Sequence, residues 1–153
     1  MNEPAITQAR GAFSLYCRVE LTVRARAERV WALLIDGPGF PRWNSTVTRI
    51  EGQIRDGERL RVHVPGTGMV FSPRVSDVVA CEHMTWTGGS SPVFKGVRVF
   101  ELRRGGNGTT GFSMVERFSG LLIPFVRGSM PDLGPVFARY AEDLRREAEK
   151  CGD

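Results

Sequence analysis

The segment LGPVFARYAEDLRREAE, residues 133–149, decides how everything before it must fold. Leu133, Val136, Phe137, Tyr140 and Leu144 recur at helical spacing, while Arg139, Glu142, Arg145, Arg146 and Glu149 fall on the opposite side. The spacing predicts a long amphipathic helix. Ser129 or Asp132 can cap its start, and Pro131 and Pro135 are tolerable because they fall at or near its first turn.

Outward from this helix toward the N-terminus, the period changes from 3.6 to 2. Residues 109–119, 94–103, 82–87, 69–79, 58–64 and 46–54 each read as a short strand. Turn chemistry separates them, including Arg55-Asp56-Gly57, Pro65-Gly66-Thr67-Gly68 and Arg104-Gly105-Gly106-Asn107-Gly108. Residues 27–35 place Ala27, Val30, Trp31 and Leu34 at helical spacing, and Asp36-Gly37-Pro38-Gly39 ends that helix before a second short one in residues 40–45. Residues 13–23 alternate cleanly, with Phe13, Leu15, Cys17, Val19, Leu21 and Val23 on one face.

The order is strand, two short helices, six strands and one long helix, an α+β arrangement. A seven-stranded curved antiparallel sheet with one long amphipathic C-terminal helix must wrap around that helix, since nothing else can cover its concave face. A single helix about 10–12 Å wide leaves part of the trough unfilled, so an apolar cavity is expected between the two. The 153 residues suit one domain, residues 1–153, with 1–12 read as a flexible N-terminal segment.

Composition narrows the function classes. Apolar residues at 41% and charged residues at 25% match an ordinary soluble chain, and no stretch approaches the roughly 20 apolar residues of a bilayer span. The polar first ten residues lack a secretory apolar core, so the expected location is cytoplasmic, without stable membrane insertion. The net charge is +4, but the arginines are scattered among 17 acidic residues, so no nucleic-acid partner is expected. Cys17, Cys81 and Cys151 are odd in number and far apart, which fits reduced thiols.

Several strings in order resemble the START-like, or SRPBCC, superfamily, and within it the polyketide cyclase/dehydrase and lipid-transport group. They are Ala27-Glu28-Arg29-Val30-Trp31, Phe40-Pro41-Arg42-Trp43-Asn44, Met84-Thr85-Trp86-Thr87-Gly88, Phe100-Glu101-Leu102 and the run from Glu116 through Leu122. The resemblance spans residues 13–149 and implies the helix-grip fold, in which carriers, sensors and enzymes all occur. It also implies cyclisation or dehydration of a polyketide-like substrate as a reaction. Where many members hold a histidine on the strand before the glycine-rich turn, this chain has Arg98.

Strand alternation gives an expected ligand lining of Leu60, Val62, Val64, Phe71, Trp86, Phe100, Phe112, Met114 and Phe118. Trp43 is expected at one end, with Phe125 and Met130 near the mouth. Such walls suit a hydrophobic small molecule: polyketide-like, aromatic or lipid. Glu116 shares the inward face. With the glycine-rich turn in simple register, Phe100 lies opposite Phe112, and Arg98 lies opposite Met114 and diagonal to Glu116. An unpaired inward carboxylate would hold its proton and could act as a general acid; beside Arg98 it would stay charged and anchor a ligand. Glu116 and Arg98 are therefore the candidate catalytic pair.

His63, Cys81 and His83 do not make a metal site, because Val62, Val64, Met84 and Trp86 claim the inward face and no further ligand is spaced to join them. No cofactor is expected. Residues 121–126 form an apolar run that reads as a lid, with a gate or an interface as alternatives. Three functions stay open: an enzyme, a non-catalytic carrier or sensor, and an interaction module with a collapsed interior. The oligomeric state is expected to be monomer or homodimer.

Overall fold

A computed structural model describes residues 3–66, 68, 70–130 and 132–150. The expectations placed on Met1, Thr67, Met69, Pro131 and Cys151 lie outside the described residues.

The chain opens with a hairpin of β1 (Ala5–Gly11) and β2 (Ser14–Val23). Helices α1 (Ala27–Leu34) and α2 (Phe40–Trp43) follow, joined by a 3₁₀ turn whose Asp36 side chain accepts from the Gly39 amide. Next come β3 (Arg49–Glu51), β4 (Arg61–His63), β5 (Val70–Phe71), β6 (Arg74–Val79), β7 (His83–Ser90), β8 (Phe94–Arg104) and β9 (Thr110–Ser119). A short α3 (Ile123–Val126) leads to α4 (Leu133–Ala148). Among the described residues no helix is long and apolar enough to cross a membrane.

The curved antiparallel sheet and its C-terminal helix are those read from the pattern, with strands divided differently. Six strands pair in the order β1-β2-β9-β8-β7-β6, and β3-β4-β5 form a smaller sheet. Residues 57–60 bond along β6, Leu60 donating to the Pro73 carbonyl at 2.8 Å, and so tie the two sheets together. The strand expected over 69–79 is split by Ser72-Pro73, since proline has no amide to continue a ladder.

The flexible segment expected at residues 1–12 is corrected: residues 5–11 pair along β2 from Ala5 opposite Glu20 to Gly11 opposite Ser14. All seven β1 residues are exposed, so main-chain hydrogen bonding, not an apolar face, holds this edge strand in place.

Asp132 is the residue that caps α4, its side chain accepting from the Gly134 amide at 3.1 Å. At the other end Arg29 donates to the Ala148 and Glu147 carbonyls at 3.2 and 2.9 Å, satisfying last-turn acceptors from α1. Asp143, buried on α4, accepts from the Ser45 amide and hydroxyl at 2.7 Å each and so fixes the α2–β3 connection to the helix. The C-terminal end of the helix and its middle are thus pinned to the elements around it.

Candidate functional site

Register and alternation place the inner-face side chains in lateral rows beneath α4. One row is Leu21, Phe112 and Leu102. The next is Val19, Met114, Phe100 and Met84. The third runs Cys17, Glu116, Arg98, Trp86 and Val75, with Gln8 beyond Cys17 on β1. The fourth is Leu15, Phe118, Gly96 and Gly88.

The first two rows are sealed. Tyr140 of α4 stacks on Phe112 at 6.3 Å between ring centres, lies 6.3 Å from Phe100, and meets Phe40 and Trp43 at 6.4 and 6.1 Å. This corrects the expectation of an unfilled trough at that depth. The short helix α2 supplies Phe40 and Trp43 as filler, which an argument counting only the long helix does not include. Hollows of about 360 and 460 Å³ open on the outer face instead, beside Arg18 and Glu101 and beside Tyr16 and Arg117. Toward the fourth row the cover thins, and Gly88, Gly96, Phe118 and Val136 are half-buried.

The third row holds the ion pair. Arg98 Nε lies 2.6 Å from Glu116 Oε1, with the Arg98 side chain 24% and the Glu116 side chain 9% exposed. The guanidinium sits 5.1 Å over the Phe137 ring, a cation–π contact that also fixes its plane. The pairing differs from the expected register. Arg98 stands directly opposite Glu116, and Phe100 opposite Met114 rather than Phe112. The reason is the turn: Arg104 pairs with Thr110 around a five-residue loop, closed by Gly105 N–H to the Thr109 carbonyl at 2.8 Å. Gly96 makes room for the pair, since a Cβ there would lie 3.0 Å from the Phe118 ring and 3.1 Å from Glu116 Oε2.

Burial pushes the Tyr140 phenol well above its ordinary range, with the Arg98 charge pulling weakly the other way. Burial likewise raises the Cys17 thiol, against a lowering hydrogen bond from Gln8. Neither group titrates near neutrality.

Of the expected lining, Trp86, Phe100, Phe112 and Met114 lie buried on the inner face, Phe118 is half-buried there, and Trp43 is buried against Tyr140. Leu60 and Val62 are buried at the smaller sheet, while Val64 and Met130 are half-buried. Two placements are corrected. Phe71 is 43% exposed, because β5 is a two-residue edge strand with no covering layer. Phe125 is 81% exposed, because Ile123 is the residue of α3 that turns inward. The apolar run therefore anchors through Ile123 while Leu121, Leu122 and Phe125 face outward. Gly120, at φ +136, lets this run pass close to Val93, where a Cβ would lie 2.2 Å from the Val93 carbonyl oxygen.

His63 lies 2.6 Å from Glu51, and His83 Nδ1 lies 2.9 Å from the Asp77 carbonyl, so each is bound within its own strand neighbourhood. The residue that pattern reading missed is Tyr140, taken only as part of an apolar stripe. Its signal was a hydroxyl among Leu and Phe positions, which needs a partner once buried.

The family described as Polyketide cyclase / dehydrase and lipid transport matches residues 17–150. No curated protein matches the chain. Among solved structures, a START superfamily protein from Mycobacterium smegmatis is 17% identical at a TM-score of 0.64, over 88% of this chain and 97% of that one. DynU16, from the dynemicin biosynthetic locus, is 20% identical at a TM-score of 0.66, over 88% of this chain and 47% of its own. A norcoclaurine synthase point mutant from Thalictrum flavum, in complex with a transition-state analogue, is 12% identical at a TM-score of 0.68, over 94% and 97%. At these identities the likeness bears on the fold, which is the helix-grip arrangement.

Proposed function

We propose that this chain, a member of the polyketide cyclase / dehydrase and lipid transport family, binds a hydrophobic small molecule between α4 and the inner face of the sheet. The observation that carries the reading is the Arg98–Glu116 pair, set in an otherwise apolar wall beside a row that stays half-exposed. Taking two charges out of water is costly, and a fold that needed only a core would place hydrocarbon there. In a ligand site the same pair anchors the polar end of an apolar guest, while Phe118 and Trp86 border the ring system.

The family also supports a cyclase or dehydratase reaction. In that version Arg98 donates to a substrate carbonyl and stabilises the oxyanion that develops, and the Glu116 carboxylate accepts a proton. A carrier would use the same contacts without turnover. Native mass spectrometry of the purified protein separates the cases: a bound apolar adduct recovered unchanged supports a carrier, and a changed one an enzyme. The reading fails if no apolar aromatic compound binds saturably, or if Arg98→Ala and Glu116→Gln leave affinity and turnover untouched.

A second reading, an interaction module with a collapsed interior, draws on the rings packed around Tyr140. It predicts no small-molecule adduct at any protein concentration.

A further inference from the structure

The end of the molecule that carries the β1–β2 and β7–β8 turns and the run from Gly120 to Val126 is apolar at its tip. Phe13, Val93, Leu121, Leu122 and Phe125 are each between 41 and 81% exposed. They form one patch because the main chain ties their segments together. The amides of Gly120, Leu121 and Leu122 donate to the carbonyls of Phe13, Pro92 and Val93 at 3.0, 2.9 and 3.1 Å. Arg127 adds bonds from its guanidinium to the Gly11 and Ala12 carbonyls at 2.9 and 2.8 Å, and the buried Ile123 roots the run. The patch is therefore preformed, and these tip amides are already paired when water leaves. A face that always stayed in water would gain nothing from five large apolar side chains gathered at one end, whereas a face that is covered does.

Charge indicates what covers it. Residues 10–16, 88–97 and 117–130, which build this end, contain Arg10, Lys95, Arg117 and Arg127 and no Asp or Glu. None of the four forms an ion pair among the described residues. The carboxylates that flank these segments are engaged elsewhere, Glu116 by Arg98 and Asp132 by Gln8 and the Gly134 amide. The four cations thus equal the chain's whole net charge of +4, and the rest of the sequence holds 17 basic and 17 acidic residues. A second copy would bring the same cations and be repelled, and nucleic acid would meet apolar side chains at the centre of the contact. An anionic bilayer matches both parts, with phosphates for the rim and the acyl boundary for the patch.

We infer that this tip docks the protein peripherally on an anionic membrane surface, Leu121 and Phe125 reaching the acyl boundary and Arg10 and Arg117 meeting headgroup phosphates. The hollow of about 460 Å³ beside Tyr16 opens at the same end, lined by both arginines, and leaves room for a phosphate. Arg117 is held there 4.7 Å over the Tyr16 ring. The contact is interfacial and independent of what the interior holds.

The test is co-sedimentation of the unliganded protein with vesicles of phosphatidylcholine, alone or mixed about two to one with phosphatidylglycerol. Lys95 and Arg127 are half-buried, so Arg10 and Arg117 set the scale: the mixed vesicles bind about 30-fold tighter than the neutral ones, and high salt erases the difference. Arg10→Gln with Arg117→Gln removes that preference. Leu121→Ser with Phe125→Ser lowers binding to the mixed vesicles about tenfold without moving the melting temperature, since both side chains already stand in water. Arg26→Gln with Arg103→Gln, an equal loss of charge at the far end of the sheet, leaves binding unchanged. Absent binding, equal binding to neutral vesicles, or a far-end pair that weakens binding as much as the tip pair overturns the inference. So does a wild-type dimer that the serine variant converts to monomer in the ultracentrifuge, because a second copy would then cover the patch. Each of these outcomes leaves the interior reading in place, since no small ligand takes part.

Discussion

If the Arg98–Glu116 pair serves a ligand and not the fold, replacing both members should cost nothing. The Nε to Oε1 distance is 2.6 Å, and at an effective dielectric near 20 the gross attraction is about 6 kcal/mol. Withdrawing each ion from water costs several kcal/mol, which leaves little net gain. Removing one partner is different, because the other stays buried without compensation. Measured losses for fully buried pairs run to about 3–5 kcal/mol, and the 24% exposure of Arg98 reduces the expected loss to about 1–3 kcal/mol. Urea unfolding of wild type, Arg98→Met, Glu116→Leu and the double variant forms the cycle. The expected result is two destabilised single variants and a double variant within about 1 kcal/mol of wild type or above it. A double variant that loses as much as the two singles together would show that each residue supports the fold independently of the other, and would remove the observation on which the proposed function stands.

Three further outcomes follow from the same geometry. Tyr140→Phe in the unliganded protein should raise stability by about 1 kcal/mol, or about 2–4 °C for a chain of this size, since it deletes an unpaired buried hydroxyl; a fall in melting temperature would mean the hydroxyl has a structural partner. Asp143→Ala should cost about 2–3 kcal/mol in urea unfolding, because the Ser45 amide and hydroxyl both lose a charged acceptor; a loss below about 0.5 kcal/mol would refute that bracing role. Cys17, with its thiol raised by burial, should resist alkylation at pH 8 while Cys81 reacts, as followed by peptide mass spectrometry; equal rates would contradict the packing of β2.

The large-scale fold was legible because its signals are physical and local. The apolar stripe of α4, the Asp36-Gly37-Pro38-Gly39 stop and the alternation in β2 each specify an element and a buried face. Register was less legible. A glycine-rich turn announces a hairpin, but whether its five-residue loop spans 104–108 or 105–109 depends on the closing pair, here Arg104 with Thr110. That choice moved Arg98 from a diagonal to a direct partner of Glu116. Strand β1 escaped notice because all of its residues are exposed and no alternation marks it. Phe71 and Phe125 were placed inside because periodicity identifies a face without telling where the covering layer ends. Tyr140 shows the opposite limit, since a helical stripe reads as core whether or not one of its members carries a hydroxyl.

Selective ¹³C-methyl labelling of methionine tests the central claim most directly, because Met84 and Met114 lie buried in the row beside the ion pair. Titration with 2-acetonaphthone should shift both methyl resonances saturably, in step with a calorimetric binding curve. Saturable binding that leaves both resonances in place would put the guest outside the helix–sheet interior and contradict the account.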